Sequence, residues 1–415
     1  MTKRWAVLGL ALLLGAALAW TATPAAAELK VAVSGYVKLD LQWSDKIAGN
    51  GFVGGEPSTP PSGVPYDGDK FHDHDQFVVD AKQTRFRITA SDEVMGVKLS
   101  SRVEGDFFQA DGSATTSNSR HLRLRHAHAS AQHPSGFFMI AGQTWSNFMP
   151  TEVAQPDTVD FNGPAGQTFA RQPQLTLGWK FPVAGADLVV SGSVEKASTN
   201  NLGSSAIAEN QGEGQDVPVL TGKAGWYGKV FQIETSGAYQ NAKVITAAGN
   251  GLSQPTYAFQ TSVQVNFGPA SVYGHYQWSQ GLQRMFNADY PSVVLLPTGQ
   301  LAAIRTNGFF AGGQYRLTPE VSFNAVYGWQ QALNAGNIAG FNDGATQSCA
   351  SQFSISSNAV KCQKTQQSVH ANVLYKFWQR WQAGLEYRYE RVDSFNNPHQ
   401  EGTANFAHAA LWFFF

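Results

Sequence analysis

The sequence is poor in cysteine, in net charge and, after its first 27 residues, in long apolar runs. The 415 residues carry a formal net charge of -1, which gives no reason to expect a nucleic-acid partner. No stretch beyond Ala27 reaches the roughly 18 consecutive apolar residues of a transmembrane helix. No segment keeps a helical period for more than about two turns. These absences argue against a helical membrane protein and a nucleic-acid-binding protein.

The two cysteines, Cys349 and Cys362, stand in a stretch rich in Ser, Asn, Gln and Gly. In an oxidising compartment this pair predicts one disulfide that pins a long loop. Two thiols without nearby histidines do not complete a zinc shell. We therefore expect no metal site there, and no cofactor.

Residues 1–27 resemble a secretory signal. Lys3 and Arg4 precede the apolar run "WAVLGLALLLGAALAW", and "PAAA" supplies small residues before Glu28. We expect cleavage after Ala27. An uncleaved N-terminal anchor is the alternative, although the run is short for a membrane span.

Glycines, aromatic residues and alternating patterns are abundant instead. There are 41 glycines, 12% of residues are aromatic, and the mean hydropathy is -0.24, which suits a secreted β-protein or a membrane β-barrel. In "LKVAVSGYVKLDLQWS", one face carries Leu29, Val31, Val33, Val37, Leu39, Leu41 and Trp43, and the other carries Lys30, Ser34, Lys38, Asp40 and Gln42. Such a strand is apolar on one face and wet on the other.

Period-two patterns and turn signals predict sixteen strands. They cover approximately 29–44, 76–91, 94–109, 119–133, 135–147, 170–180, 185–197, 216–227, 228–243, 254–267, 269–281, 303–317, 319–332, 364–377, 380–393 and 403–415. Short connections alternate with long ones, and the longest span about 45–75, 148–169, 197–215, 282–302 and 333–363. This alternation is typical of outer-membrane barrels.

The predicted fold is therefore all-β: one transmembrane antiparallel barrel of sixteen strands over residues 28–415. In hydrocarbon every backbone polar group needs a partner, so the last strand must close against the first. The C-terminus "FAHAALWFFF" fits this prediction, because Leu411, Phe413 and Phe415 would face lipid on the closing strand. A soluble β-sandwich is the alternative.

Arginines recur on the faces of the second to fourth strands that we expect to line the lumen. They are Arg85, Arg87, Arg102, Arg123 and Arg125. Alternation with Phe86 and Ile88 predicts that the two arginines of "QTRFRIT" point inward. A turn at residues 92–94 would bring Arg85 opposite or close to Arg102.

The fourth strand is ambiguous by alternation alone. In "HLRLRHAHA", Leu122 and Leu124 would face outward if the arginines face inward, but His126 and His128 share the parity of the leucines. The two histidines also have the spacing of a shared metal ligand pair, a weak signal.

Arginines in the lumen would attract anions. A guanidinium stays charged and matches the planar geometry of a carboxylate, so a wall of them predicts an anion-selective zone. The alternative is that Glu104 and Asp106 balance the arginines locally and the cluster only solvates the wall.

The connection "SNFMPTEVAQPDTVDFNGPAGQTFA" has the composition of a loop that packs. Folded into the lumen it would form the constriction, with Glu152, Asp157 and Asp160 facing the arginines across a transverse field. The alternative is a lid outside the barrel. A second loop contains "FHDHDQF", whose His72, Asp73, His74 and Asp75 are either solvated or an adventitious cation site.

Several ordered motifs resemble those of the DcaP-like porins of Gram-negative outer membranes. They are "SGYVKLDL", "TRFRI", "VEGDFF", "LRLRHAHA", "GQTWSNF", "PDTVDFNGPAG" and "RQPQL", within about residues 34–195. The resemblance implies a homotrimer of sixteen-strand barrels that passes dicarboxylates and aromatic carboxylates. It also implies selectivity by the arginines and constriction by the loop after "GQTWSNF".

One feature departs from the resemblance. Members of that family often have an N-terminal coiled-coil segment, whereas here the predicted mature chain enters the first strand directly, so any trimer would need barrel-wall contacts. The aromatic C-terminus resembles the tail that the barrel-assembly machinery recognises in many outer-membrane proteins.

The sequence thus predicts a porin in contact with outer-membrane lipids that passes small hydrophilic solutes and prefers anions. Two alternatives stay open. One is an adhesin or receptor acting through its long loops. The other is a barrel hydrolase built on His121, His126, His128 and Ser130. Conduction in a lipid bilayer distinguishes a porin from both.

Overall fold

The computed structural model describes residues 29–48, 63–68, 72–108, 112–113, 119–197, 201–202, 206–207, 217–246, 251–286, 290, 292–296, 298–334, 363–395 and 400–415. The fold is all-β. The predicted signal segment, residues 1–27, and both cysteines, Cys349 and Cys362, lie outside the described residues. Within the described ranges, no helix is long and apolar enough to cross a membrane.

Sixteen strands form the wall of one barrel, as the sequence predicts. They are β1 (Lys30–Ser44), β2 (Arg85–Val94), β3 (Val97–Asp106), β4 (Arg123–Gln132), β5 (Phe137–Trp145), β6 (Arg171–Val183), β7 (Ala186–Glu195), β8 (Val219–Tyr227), β9 (Phe231–Thr246), β10 (Gly251–Phe267), β11 (Ala270–Gln280), β12 (Arg305–Arg316), β13 (Val321–Ala332), β14 (Gln363–Phe377), β15 (Trp381–Ser394) and β16 (Glu401–Phe414).

The barrel closes through its first and last strands. β16 pairs antiparallel with β1, with Leu411 opposite Leu39, while the other edge of β1 pairs with β2. Gly35 and Phe415 exchange two backbone hydrogen bonds of 3.2 Å at the end of this seam. Closure leaves no free edge, as hydrocarbon requires.

The wall alternates between an apolar outer face and a polar inner face. On β1, Val37, Leu39 and Trp43 are exposed on the outside, whereas Lys38 and Asp40 are buried inside the barrel. On β16, the odd positions face outward, as predicted for Leu411 and Phe413. Exposed aromatic residues on the outer face include Phe77, Trp179, Phe181, Phe231, Tyr257, Phe267, Tyr315, Phe323, Tyr375 and Tyr387.

Tight turns join the strands at one end of the barrel. The β2–β3 turn, Met95–Gly96, has φ of 52° and 79°, and the β6–β7 turn, Ala184–Gly185, has φ of 50° and 78°. Positive φ at both central residues is the geometry that matches the twist of paired strands. The strand ends that the long connections join lie at the other end.

A short strand precedes β2 in the chain and is separated from it by four residues. Gln76–Asp80 pairs with the loop-side half of β1, and β2 itself pairs with the other half. Between them, Lys82 and Gln83 are buried. The predicted strand 76–91 is therefore one barrel strand interrupted at residues 81–84.

The connection between β5 and β6, residues 146–170, is called L3 here. It lies inside the barrel, as predicted, and the outside-lid alternative is wrong. Ser236 Oγ on β9 donates to Phe148 O at 2.6 Å, and the backbone N–H of Ala165 donates to Ser368 Oγ on β14 at 2.8 Å. L3 is thus bound to the inner wall along its length.

Candidate functional site

The predicted arginines of β2, β3 and β4 come together around two buried carboxylates. Glu104 on β3 lies 2.8 Å from Arg87, 3.0 Å from Arg125 and 3.5 Å from Arg85, and it also forms an ion pair with Arg102. Four guanidinium groups on three strands therefore surround one carboxylate. This geometry follows from the alternation of β2 and β3, which points their odd and even positions, respectively, into the lumen.

Asp106 is the second carboxylate of the site. Arg123 donates to it through two nitrogens, at 2.8 and 2.9 Å, in the bidentate geometry that suits a guanidinium and a carboxylate. Arg125 Nη1 donates to it at 2.8 Å. Arg125 thus bridges Asp106 and Glu104.

A β-bulge resolves the ambiguous fourth strand. Gly105 pairs with Leu124, but Glu104 pairs with His126, so Arg125 is an extra residue in β4. The bulge reverses the parity beyond it. Arg125 and His126 are therefore both buried inside the barrel, while Leu124 is exposed outside.

The register of the β2–β3 hairpin differs from the sequence expectation. Arg85 pairs with Asp106, and Arg102 pairs with Thr89, so the two arginines do not lie opposite each other. The turn lies at Met95–Gly96 instead of residues 92–94, because Gly96 and Met95 both adopt positive φ. Glu104 nevertheless links the two arginines by binding both.

Aromatic rings of L3 cover the guanidinium groups. The Arg125 Cζ atom lies 5.2 Å from the centroid of the Phe161 ring, and Arg123 Cζ lies 5.8 Å from the same centroid. Phe161 packs on Phe108 at 5.0 Å and on Phe169 at 5.7 Å between centroids. Cations over aromatic faces in this range are attracted to the rings.

Arg171, the first residue of β6, also belongs to this site and was not predicted from the sequence. Its Cζ atom lies 4.8 Å from the centroid of Trp145 and 5.8 Å from that of Phe169. Its Nη1 atom is buried and has no hydrogen-bond partner among the described residues. The signal was available in "RQPQL", where an arginine directly follows the constriction loop.

These residues form a cluster with excess positive charge. We call it the arginine cluster: Arg85, Arg87, Arg102, Arg123, Arg125, Arg171, Glu104 and Asp106. It has six guanidinium groups and two carboxylates, so four positive charges are not balanced within it. The side chains of Arg87, Arg102 and Arg123 are 35%, 31% and 27% exposed, whereas Arg125 is 2% exposed. The first three can therefore contact a solute directly.

The three acidic residues of L3 lie along a different part of the wall. Asp160 forms a buried ion pair with Arg388 on β15, so the prediction that it faces the arginine cluster is wrong. Asp157 accepts from Gln314 on β12 at 3.4 Å. L3 presents Phe161 to the cluster instead, because the buried Arg388 takes the adjacent carboxylate.

The side chains of Glu152 and Asp157 are exposed to water inside the barrel, where protein surrounds them on several sides. Burial removes part of their hydration and raises the pKa of each carboxyl, and neighbouring Lys223 and Lys376, respectively, oppose that change only in part.

The weaker sites predicted from the sequence do not assemble in the described part of the chain. No group of three or more metal-ligating side chains occurs there. The two ring nitrogens of His72 contact Asp67 and Asp73, each at 2.8 Å. Ser130 Oγ hydrogen-bonds to Ser100 Oγ at 2.7 Å, and His126 Nδ1 to Thr144 Oγ1 at 3.0 Å.

A comparison with protein families decides the class of this barrel. A family model described as Gram-negative porin matches residues 14–397, which is most of the chain. The chain belongs to the Gram-negative porin family. Porins are channels of the outer membrane. Membership of this family therefore favours a channel over an enzyme, and it supports an outer-membrane location. No curated protein matches the sequence.

Solved porin structures have the same fold. The DcaP outer membrane channel of Acinetobacter baumannii is 20% identical with a TM-score of 0.70, over 93% of this porin and 97% of that chain. An anion-selective porin from Comamonas acidovorans is 12% identical with a TM-score of 0.55, over 94% and 100%. OmpT of Vibrio cholerae in a trimer form is 10% identical with a TM-score of 0.52, over 93% and 99%. The likeness to DcaP predicted from the motifs is thus confirmed for the fold.

Proposed function

We propose that this porin is a passive diffusion channel that prefers small organic anions, with the arginine cluster as its selective zone. The observation that carries the proposal is the imbalance of the cluster, in which six guanidinium groups share two carboxylates. Three of the guanidinium groups remain exposed to the lumen beside L3. A fixed positive wall next to a constriction lowers the energy of an anion and raises that of a cation.

The form of the cluster supports carboxylate-bearing solutes. A guanidinium group offers paired N–H donors that match a carboxylate, and several at different heights give a dicarboxylate two places to bind. Phe161 and Phe169 place aromatic faces next to the charges, where a planar aromatic carboxylate can stack. We therefore propose dicarboxylates and aromatic carboxylates as the preferred solutes.

Glu104 and Asp106 do not cancel this effect. Each takes part in several ion pairs, which fix the guanidinium groups in place without matching them in number. We propose that local balance is most complete for Arg125, which is buried between both carboxylates. Arg87 and Arg102 share the single carboxylate of Glu104 and stay partly exposed.

We also propose a homotrimer that forms through the outer face of β2–β5. Directly paired small residues cross this face in a row, from Ala90 to Ser101, Ala129 and Ala141. Small side chains let a neighbouring barrel approach closely in a membrane. The substitution Ala129→Trp should convert trimers to monomers in detergent, while Ala325→Trp on the outer face of β13 should not. Trimers that persist with Ala129→Trp would place the contact elsewhere.

Export completes the proposal. We propose that the signal segment is cleaved after Ala27, that the assembly machinery recognises the aromatic C-terminus, and that Cys349 and Cys362 form a disulfide. N-terminal sequencing of the membrane-inserted protein tests the cleavage site, and its mass before and after reduction and alkylation tests the disulfide.

The decisive experiment is the reversal potential in a planar bilayer under a salt gradient. The variant Arg87→Ala plus Arg102→Ala removes two exposed charges and should weaken or invert the anion preference. The matched control is Arg391→Ala, because Arg391 is paired with Asp393 and Glu401 on the outer side of the barrel. An unchanged reversal potential in the double variant would refute selection by the cluster.

A further inference from the structure

One peptide unit of L3 is held from two sides of the barrel. Lys38 Nζ on β1 donates to Val159 O at 2.9 Å. From β15, Glu386 accepts the backbone N–H groups of Val159 and Asp160 at 2.8 and 3.1 Å. The carbonyl and the following N–H belong to the same peptide plane and point in opposite directions. L3 is therefore held at this point between β1 and β15, the two strands that flank β16.

The side chain of Val159 fits a socket in the same wall. It packs with Leu374, Ala410 and Trp412 in one buried cluster. Gly384 leaves the space for it: a Cβ at this position would lie 2.9 Å from Val159 Cγ2 and 2.9 Å from Trp412 Cζ3. Apolar packing and charged hydrogen bonds thus locate the same residue of L3.

The charged groups that hold the peptide are themselves fixed. Lys38 uses its three donors on Val159 O, Gln83 Oε1 at 2.7 Å and Asp40 Oδ1 at 2.8 Å. Asn372 Nδ2 donates to both Asp157 O and Glu386 Oε2, each at 2.9 Å. All of these side chains are buried or nearly so, so their positions are determined by the barrel rather than by solvent.

We infer that Glu386 is the positioning residue of the constriction: its carboxylate fixes the height and orientation of L3, and thereby the distance from Phe161 to the arginine cluster. This inference rests on the proposed channel function for its consequence in conduction. Phe161 lies two residues from Val159, so rotation of the held peptide displaces the ring that covers Arg123 and Arg125. Glu386 contacts no solute in this scheme and acts only through L3.

Glu386 is singled out because it is the acceptor for both N–H groups. A glutamine of equal size offers one carbonyl oxygen, and its NH₂ group would point a donor at a donor. Loss of a hydrogen bond to a charged acceptor should increase local opening of L3 at least ~10-fold. The variant Glu386→Gln keeps the volume and the strand, so the barrel should still close.

The test measures amide hydrogen exchange of L3 in the folded protein, together with single-channel current noise. With Glu386→Gln, exchange over residues 153–166 should accelerate at least ~10-fold while exchange in β14–β16 stays unchanged, and open-channel noise should increase. The control is Glu320→Gln, which removes the same charge from the exposed β12–β13 turn. A structural defect would instead raise exchange in the strands and abolish the heat-modifiable gel mobility of a closed barrel.

A second variant perturbs the socket without changing a charge. Gly384→Ala should push Val159 out of its socket and also accelerate exchange in L3. L3 exchange in Glu386→Gln equal to the Glu320→Gln control would overturn the inference, even if the parent protein prefers anions. Faster L3 exchange in a parent that shows no anion preference would instead leave the positioning role intact and refute the proposed selectivity.

Discussion

The substitution Glu104→Gln tests the energetics of the arginine cluster most directly. Glu104 is completely buried and forms ion pairs with Arg85, Arg87, Arg102 and Arg125. Removing one partner of a buried ion pair typically costs about 3–5 kcal/mol, because the remaining charge is left uncompensated. Arg125 is the most buried of the four; it keeps its ion pair with Asp106 but cannot replace the lost Glu104 contact with water from the lumen, so it should account for most of this cost.

We therefore expect Glu104→Gln to lower the free energy of unfolding by about 3–5 kcal/mol. The measurement is denaturant unfolding of the refolded protein in detergent or lipid, followed by tryptophan fluorescence. Glu320→Gln, which removes an exposed turn carboxylate, should change the same quantity by less than about 1 kcal/mol. A loss below about 1 kcal/mol for Glu104→Gln would refute the claim that this carboxylate holds the cluster together.

The same variant should change selectivity in a defined direction. The unbalanced charge of the cluster rises from four to five, so the reversal potential should move further toward that of an ideal anion channel. A shift toward cation preference would show that the guanidinium groups leave the lumen once Glu104 is lost.

Two further predictions concern L3. Because burial raises the pKa of Glu152 and Asp157, these carboxyls should become neutral before ordinary ones as the pH falls, so anion preference should rise at a pH where ordinary carboxyls are still charged. Bilayer reversal potentials of the parent and of Glu152→Gln plus Asp157→Asn check this, since the variant should lose the rise. Gly328→Ala would place its Cβ 2.2 Å from Ala165 O, so it should displace L3, alter single-channel conductance and cost about 1–3 kcal/mol in unfolding free energy. Unchanged conductance would contradict the close contact.

The strands could be predicted because their cause is local. Each of the sixteen wall strands lies on a segment with a period-two pattern, and the alternation of β1 and β16 places the residues that were expected outside on the outer face. A barrel wall has water on one side and hydrocarbon on the other, so the polarity of a strand residue indicates which face of the wall it lies on.

The details of the arginine cluster were less accessible from the sequence. The turn at Met95–Gly96 requires a non-glycine residue with positive φ, which turn signals do not favour. The bulge at Arg125 exists only relative to β3, so alternation within β4 could not reveal it. Both features concern pairing between strands, which the pattern within one strand does not determine.

The orientation of L3 depends on still longer-range contacts. Asp160 binds Arg388, which lies 228 positions away in the sequence, and that pairing competes with the arginines of β2–β4 for the same carboxylate. The composition of L3 does not indicate which part of the barrel wall it contacts. That contact is determined by the positions of buried partners such as Lys38, Glu386 and Arg388 in the closed barrel.

L3 also makes the interior of the barrel asymmetric. Ser236, Gln260, Gln330 and Ser368, which line the wall from β9 to β14, are buried, while the exposed guanidinium groups stand on β2–β4. If the channel prefers anions as proposed, a permeating anion would have a charged wall on one side and the packed L3 on the other. It would move along a surface rather than down the axis of an open tube. Throughput would then depend on how quickly the solute leaves successive arginines, so binding that is too tight would slow transport even as it sharpens discrimination.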